Sequence, residues 1–297
     1  MRITQSMMST SMMHNLQNNY KRMDKYQEQL LTNRQLNRPS DNPIGVADAL
    51  NYRQEVSFTS QFTTNVEDAN SWMDFTDSVL TETTNIIQRL SELAVQASTE
   101  TMPEDARENV QQEVDQLYQQ LVSLGNSQFK GKYIFNGERT DERPYPADPA
   151  NTAYALDDGV VEYQIGAGIY VPVNLSGDKV FGKFGDTTGL FSVVSNLKAA
   201  LSSDDTAGIE GAITGLQTSL QNITTAQAEV GGKQNRLEFT TSRLEDLQLN
   251  YTELQSNIED TDMAKAITEL KTSESIYQSS LDTIARIIRP TLLDFLK

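Results

Sequence analysis

The chain has 297 residues, with 41 acidic against 24 basic side chains, a formal charge of −17 and no cysteine. Disulfides, thiolate metal sites and cysteine nucleophiles are therefore excluded, and the acidity leaves no basic field for nucleic acid. The single histidine, His14, lies in a Met/Ser/Asn-rich run and reads as a polar surface position. No run approaches the roughly 20 apolar residues of a membrane span. The first residues lack both a continuous apolar stretch and a small-residue cleavage site, so no cleaved secretory signal is expected. The charge is unevenly placed. Residues 1–40 hold six basic and two acidic side chains, and residues 261–297 hold five of each. The two ends can thus approach each other without repulsion.

Taken in chain order, residues 1–40 form a first unit. Leu16, Met23 and Leu30 recur at seven-residue intervals on an otherwise polar stretch. Such a helix is marginal alone and draws its stability from packing, or is an unordered arm until packed. The run Asn37-Arg38-Pro39-Ser40-Asp41-Asn42-Pro43 breaks it, because each proline forces its predecessor out of the helical region. Asn42 then reads as an N-cap with Pro43 at the first helical position.

Residues 41–138 read as the first part of a helical body. Phe62, Val66, Ala69, Met73, Thr76, Leu80, Thr83, Ile87, Leu90, Ala94 and Ala97 step by four and three. Trp72, Val79, Ile86 and Leu93 form a second row beside them, and two adjacent seams predict a bundle of three or more helices. Thr101 to Glu104 has a capping-box pattern. Val110, Val114, Leu117, Leu121 and Leu124 give an antiparallel return helix, stopped at Gly125-Asn126. Tyr133-Ile134-Phe135 followed by Asn136-Gly137 reads as strand and tight turn.

Between residues 139 and 189 the composition shifts to Pro, Gly, Asp and alternating β-formers. Val161, Tyr163 and Ile165, then Ile169, Val171 and Val173 across Gly166-Ala167-Gly168, predict a small inserted β-rich module. Asp157, Asp158 and Asp186 lack EF-hand spacing and read as turn residues. The sequons at Asn174 and Asn222 carry no weight by themselves. Residues 190–260 return to helix, first over Leu190 to Leu201. Leu237, Leu244, Tyr251 and Ile258 then step by seven, and Gly231-Gly232 marks a close helix contact or a bend.

After Ile258 the register slips through Glu259-Asp260-Thr261-Asp262, a second hinge. Residues 261–297 carry Ile267, Leu270, Tyr277, Leu281, Ile284 and Ile288, a narrow coiled-coil seam with Glu274 at one of its positions. They end in an apolar tail containing Leu292, Leu293, Phe295 and Leu296, at a terminus where chains are normally polar. The simplest partner for this seam is the N-terminal arm through Leu16, Met23 and Leu30. The fold class is therefore mainly α: an elongated antiparallel bundle or coiled coil formed by both ends, with a small β-rich insertion. No catalytic set, phosphate loop, dinucleotide fingerprint or metal-ligand cluster is present in the sequence, so no cofactor is expected. Function must be carried by surfaces.

Several of these stretches resemble the bacterial flagellin family. Arg38, Pro39, Ser40, Asp41 and Pro43 stand in a run similar to the family's N-terminal motif, from which Asn42 is a small departure. Glu229-Val230-Gly231-Gly232-Lys233-Gln234-Asn235-Arg236-Leu237 resembles the start of its C-terminal body helix, with Gly231-Gly232 another small departure. Ile258-Glu259-Asp260-Thr261-Asp262-Met263-Ala264 is similar to its link to the terminal helix. Tyr133 to Gly137 and the terminal Leu292-Leu293-Asp294-Phe295-Leu296-Lys297 favour the branch that joins hook to filament. The resemblance implies an extracellular structural component, exported through the flagellar type III apparatus and assembled as a ring. The implied partners are further copies of itself, a hook-associated protein on the hook side, flagellin on the filament side and an export chaperone. A filament-forming flagellin is the alternative within the family, and a cytoplasmic coiled-coil scaffold the alternative outside it.

Overall fold

The computed structural model of the chain describes residues 5–99, 103–150 and 152–287. Among the described residues, seven helices and two short hairpins follow in the order α1 Gln5–Thr32, α2 Pro43–Ala97, α3 Glu104–Gly125, β1 Gln128–Phe129, β2 Lys132–Tyr133, β3 Glu162–Gly166, β4 Ile169–Pro172, α4 Gly177–Val180, α5 Leu190–Ser203, α6 Thr206–Glu259 and α7 Met263–Ile287. Two compact units emerge, residues 59–245 and the paired ends 1–58 with 246–297. The division falls inside α2 and α6, so each of these helices contributes to both units.

In the first unit, α2, α3, α5 and α6 share one core. Both predicted rows of α2 are buried, from Val66 to Ala97 and from Trp72 to Leu93, because a stripe this wide needs neighbours on more than one side. Thr76 and Thr83 enter that apolar stripe at little cost, since their hydroxyls donate to Trp72 O at 2.9 Å and Val79 O at 2.8 Å. Polar side chains seal the edges: Arg89 reaches Glu113 of α3 at 2.7 Å, and Gln234 of α6 reaches Asp74 at 2.8 Å. Gly231-Gly232 does not mark a close helix contact, since a Cβ at either position would meet open space, and both lie inside continuous α6.

The β-rich part differs from expectation in one turn. β1 and β2 pair antiparallel through Lys130-Gly131, both at positive φ (50° and 80°), which is the geometry of a two-residue hairpin. The tight turn therefore precedes Tyr133, and Asn136-Gly137 forms a different, buried bend. There Asn136 donates to Arg139 O and Glu142 O, both at 3.1 Å, and the Asp157 carboxylate accepts from the Glu138 amide at 2.7 Å. Asp186 likewise accepts from the Thr188 amide at 2.9 Å, so both aspartates serve turns. β3 and β4 form the predicted hairpin across Ala167-Gly168. The α3 N-terminus has Pro103 as its cap with no side-chain hydrogen bond; the capping box expected over Thr101 to Glu104 falls on Thr101 and the Glu104 side chain, which lie outside what the structure describes.

Between this module and the helices lies an aromatic cluster centred on Tyr145. Its ring lies 5.0 Å from that of Phe191, 5.3 Å from Tyr154 and 5.5 Å from Phe181. Gly177 is required there, because a Cβ would sit 2.4 Å from the Tyr145 hydroxyl. That hydroxyl is buried and has no hydrogen-bond partner among the described residues. Tyr145→Ala should therefore destabilise the 59–245 unit by about 3–5 kcal/mol. Tyr145→Phe should be neutral or stabilising by up to about 1–2 kcal/mol, because it removes an unsatisfied group. Urea unfolding followed by circular dichroism separates the two outcomes.

Candidate assembly surface on the paired terminal helices

The terminal unit is organised by its two connectors. α1 ends at Thr32, and Asn33 takes a left-handed φ of 56° that turns the chain out of the helix. The following residues run antiparallel to the α6–α7 link. Gln35 N–H donates to Glu259 O at 2.7 Å, Thr261 N–H donates to Asn33 O at 3.1 Å, and Arg34 bridges with Asp260. Buried Gln29 adds a bond from its amide to Gln35 O at 2.9 Å. Two segments without regular structure thus satisfy each other's backbone groups.

Both re-entries into helix are built by side chains. Pro39 and Ser40 occupy the centre of a turn closed by Asp41 N–H to Arg38 O at 3.0 Å, while the Asp41 carboxylate accepts from Arg38 N–H at 3.2 Å. Asn42 caps α2 by accepting from Gly45 N–H at 3.1 Å, with Pro43 as its first residue. Asp262 caps α7 by accepting from Ala264 N–H at 3.0 Å and Lys265 N–H at 3.1 Å. The Arg38 guanidinium turns back to Glu28 of α1 at 3.1 Å. Asp260 accepts from the Ser256 hydroxyl.

At the centre of this joint sits Glu259, which sequence reading passed over. Its side chain is 5% exposed and pairs with Arg53 at 2.6 Å, and Gln255 donates to its second oxygen at 3.2 Å. Burial pushes the carboxyl pKa up, but the Arg53 and Gln255 contacts and the charges of Arg53 and Arg34 outweigh it and hold it below the ordinary value. Nothing in a polar hinge of four residues marks which acid is buried; only its Arg partner, 206 positions away in the chain at Arg53, makes the choice.

α1 and α7 pack against each other as antiparallel partners. Asn19 donates to Ser280 at 3.2 Å, and the rings of Tyr20 and Tyr277 lie 6.2 Å apart. On α1, Ser9, Met12, Leu16, Asn19, Met23, Tyr26 and Leu30 form a row of partly buried residues stepping by three and four, with Glu28 and buried Gln29 beside it. On α7 the corresponding row is Ala266, Leu270, Ser273, Tyr277, Ser280 and Ile284. Leu16, Met23, Leu30, Leu270, Tyr277 and Ile284 are thus brought to the shared seam. Ile267 and Leu281 are not: they are 49% and 41% exposed, on one flank of α7, and small Ala266, Ser273 and Ser280 hold the positions between the large residues. Ranking by size alone displaced the expected seam toward that flank. Ile288, Leu292, Leu293, Phe295 and Leu296 lie outside the described residues.

Comparison with known proteins places this architecture. Residues 3–140 match the bacterial flagellin N-terminal helical region, and residues 213–296 match the bacterial flagellin C-terminal helical region. The chain is 28% identical over 302 residues to flagellar hook-associated protein 3 of Escherichia coli K12, covering 94% of this chain and 95% of that protein. It is also 27% identical over 296 residues to flagellin of Bacillus subtilis 168, covering 96% of each. The fold resembles that of a putative flagellar hook-associated protein from Vibrio parahaemolyticus, with a TM-score of 0.68 at 16% identity over 74% of this chain and all of that one. It likewise resembles the flagellar junction protein of Legionella pneumophila, with a TM-score of 0.57 at 16% identity over 73% of this chain and 100% of that one.

The buried ion pair sets the pH response of the terminal unit. Because the folded Glu259 value is depressed, its contribution is complete above the ordinary glutamate value of 4.5 and is lost as pH falls through the lower folded value. Arg53→Ala should cost the unit about 1–3 kcal/mol at neutral pH by leaving that carboxylate unpaired. Glu259→Gln should flatten the acid limb of stability. Hydrogen exchange of α1 and α7 amides between pH 6 and 3 checks both.

Proposed function

The chain belongs to the bacterial flagellin family, and we propose that within it this protein is the hook–filament junction component, of the hook-associated protein 3 type. The observation that carries this reading is the α1–α7 pair, which closes on itself through a seam and still leaves large apolar side chains outward: Tyr20 is 53% exposed, Leu31 78%, Ile267 49% and Leu281 41%. Surfaces of that kind mark interaction sites. In this reading its work is mechanical, carried by surfaces.

In this reading the paired ends form the axial element and copies of the chain associate around it as a ring. A hook-associated protein adjoins on the hook side and flagellin on the filament side. The protein leaves the cell through the flagellar type III apparatus, with an export chaperone holding the apolar C-terminal segment beforehand, and functions outside the cell. The segments 1–40 and 261–297 act as assembly arms, 41–138 and 190–260 as the helical body and 139–189 as the inserted module. The similarity to Bacillus subtilis flagellin at nearly equal identity supports a second reading, a filament subunit.

The two readings part in a deletion strain. Loss of a junction component leaves hooks without filaments and flagellin in the medium, whereas loss of a filament subunit removes the filament protein itself. Purified protein that grows long homopolymers from hook seeds would overturn the junction reading. Within the junction reading, Leu281→Asp should leave secretion and the helical circular dichroism signal unchanged but cut filament-bearing cells at least tenfold, since the residue lies outside the seam. Removal of the last ten residues should leave the helical body folded and likewise cut filament-bearing cells. Electron microscopy of complemented cells gives the count.

A further inference from the structure

The α1–α7 pair has two unlike edges. At about 100° per residue, Met13, Tyr20 and Leu31 fall on one flank of the α1 seam, and Asn15 and Arg22 on the other. On α7, Met263, Ile267 and Leu281 fall on one flank, and Lys265, Ile276 and Thr283 on the other. The ring contact between Tyr20 and Tyr277 at 6.2 Å puts the Tyr20 and Leu281 flanks on the same side of the pair. One edge is therefore a row of projecting side chains, with Met13, Tyr20 and Leu281 49%, 53% and 41% exposed.

The opposite edge is concave. A groove of about 340 Å³ runs along it, lined among others by Met12, Asn15, Ile276, Ser279, Thr283 and Ile284. Short hydroxyl side chains leave the space, and Met12, Ile276 and Ile284 give it apolar wall surface. With Asn19 opposite Ser280 and Tyr20 opposite Tyr277, the groove lies level with the projecting row along the pair axis.

The charges differ in the same sense. The projecting edge carries Asp24 and, level with it on α7, Glu274, which also pairs with the exposed Lys271 at 2.9 Å; Glu28 beyond them is held by Arg38 at 3.1 Å. The grooved edge carries Arg22, Lys25 and Lys265, with Glu269 half-buried among them, and exposed Arg22, Lys25 and Lys265 form no ion pair with another described residue. Lys25 and Lys265 line a second hollow of about 330 Å³ beside Gln29 and Asp262.

We infer that the occupant of the grooved edge is the projecting edge of a second copy of this chain, in lateral register: Tyr20 and Leu281 enter the groove, and Asp24 and Glu274 face Arg22 and Lys25. The contact is heterologous, so repetition closes a ring or continues a helix rather than stopping at a dimer. This rests on the axial-assembly reading above and adds to it which surfaces meet.

The chain has no cysteine, so paired thiols report the contact without background. Tyr20→Cys and Ser279→Cys variants are expressed singly, together and as a mixture in cells lacking the native copy, and assembled flagella are oxidised with copper–phenanthroline. The double variant should give a ladder of disulfide-linked multimers, the mixture should give one heterodimer, and each single variant should stay monomeric. Dimers from a single variant would mean that like edges meet, which overturns the inference. As an independent arm, Asp24→Arg should reduce incorporation at least tenfold, and adding Arg22→Asp to the same chain should restore it. No ladder and no rescue, in cells where the native chain restores filaments, would overturn the edge pairing and leave the junction reading standing.

Discussion

The terminal unit depends on the antiparallel contact between its two connectors. Residues 33–42 and 259–262 are too polar to order themselves, yet each leaves helix ends whose backbone groups must be satisfied. Two hydrogen bonds, one in each direction between Gln35 and Glu259 and between Asn33 and Thr261, satisfy them across more than 200 residues of sequence. Glu259 fixes the point of contact, because its carboxylate is buried and its ion pair is with Arg53, with Gln255 and the charge of Arg34 adding to it. Once this joint forms, the directions and register of α1 and α7 follow, and the loop-closure cost of joining distant parts of the chain grows only slowly with separation.

The seam that the joint aligns is weak by composition. Leu16, Met23, Leu30, Leu270, Tyr277 and Ile284 alternate with Asn19, Ser273 and Ser280, and the Ser280 hydroxyl also donates to its own helix at Ile276 O at 2.7 Å. Small and polar seam residues lower the apolar area that the pair can bury, but a buried Asn specifies register. The Asn19 to Ser280 bond does that here. By contrast, α2 in the other unit is buried on two rows and anchored by α3 and α6, so the 59–245 unit is stable by burial and the terminal unit by alignment.

This contrast explains what sequence reading recovers. The two rows of α2, the hinges at Pro43 and Asp262, and the β3–β4 hairpin are legible because wide apolar stripes, caps and alternation each have one physical interpretation. The seam of α7 is displaced by one position because Ile267 and Leu281 are larger than Ala266 and Ser280, and size misleads where the helix carries apolar residues on more than half its circumference. The Lys130-Gly131 turn is hidden because Lys is an uncommon left-handed residue. Glu259 is illegible for a different reason: a buried acid looks like any acid until its distant partner is located.

On the edge pairing inferred above, the unlike edges also disfavour like-with-like association. An isologous contact through the projecting edge would set Asp24 and Glu274 of one copy against their equivalents, and one through the grooved edge would oppose Arg22 and Lys25 with themselves. Like charges brought together at an interface cost far more than a complementary rim pair adds, so repulsion selects the heterologous arrangement. A surface that is apolar on both sides but charged with opposite signs can therefore avoid closed dimers while the chain is free. The seam is weak enough for neighbours to matter, since anything that binds only the paired state adds to its stability by mass action. Alignment within a copy and selection between copies then reinforce each other: only a correctly registered α1–α7 pair presents Tyr20 level with the groove of the next.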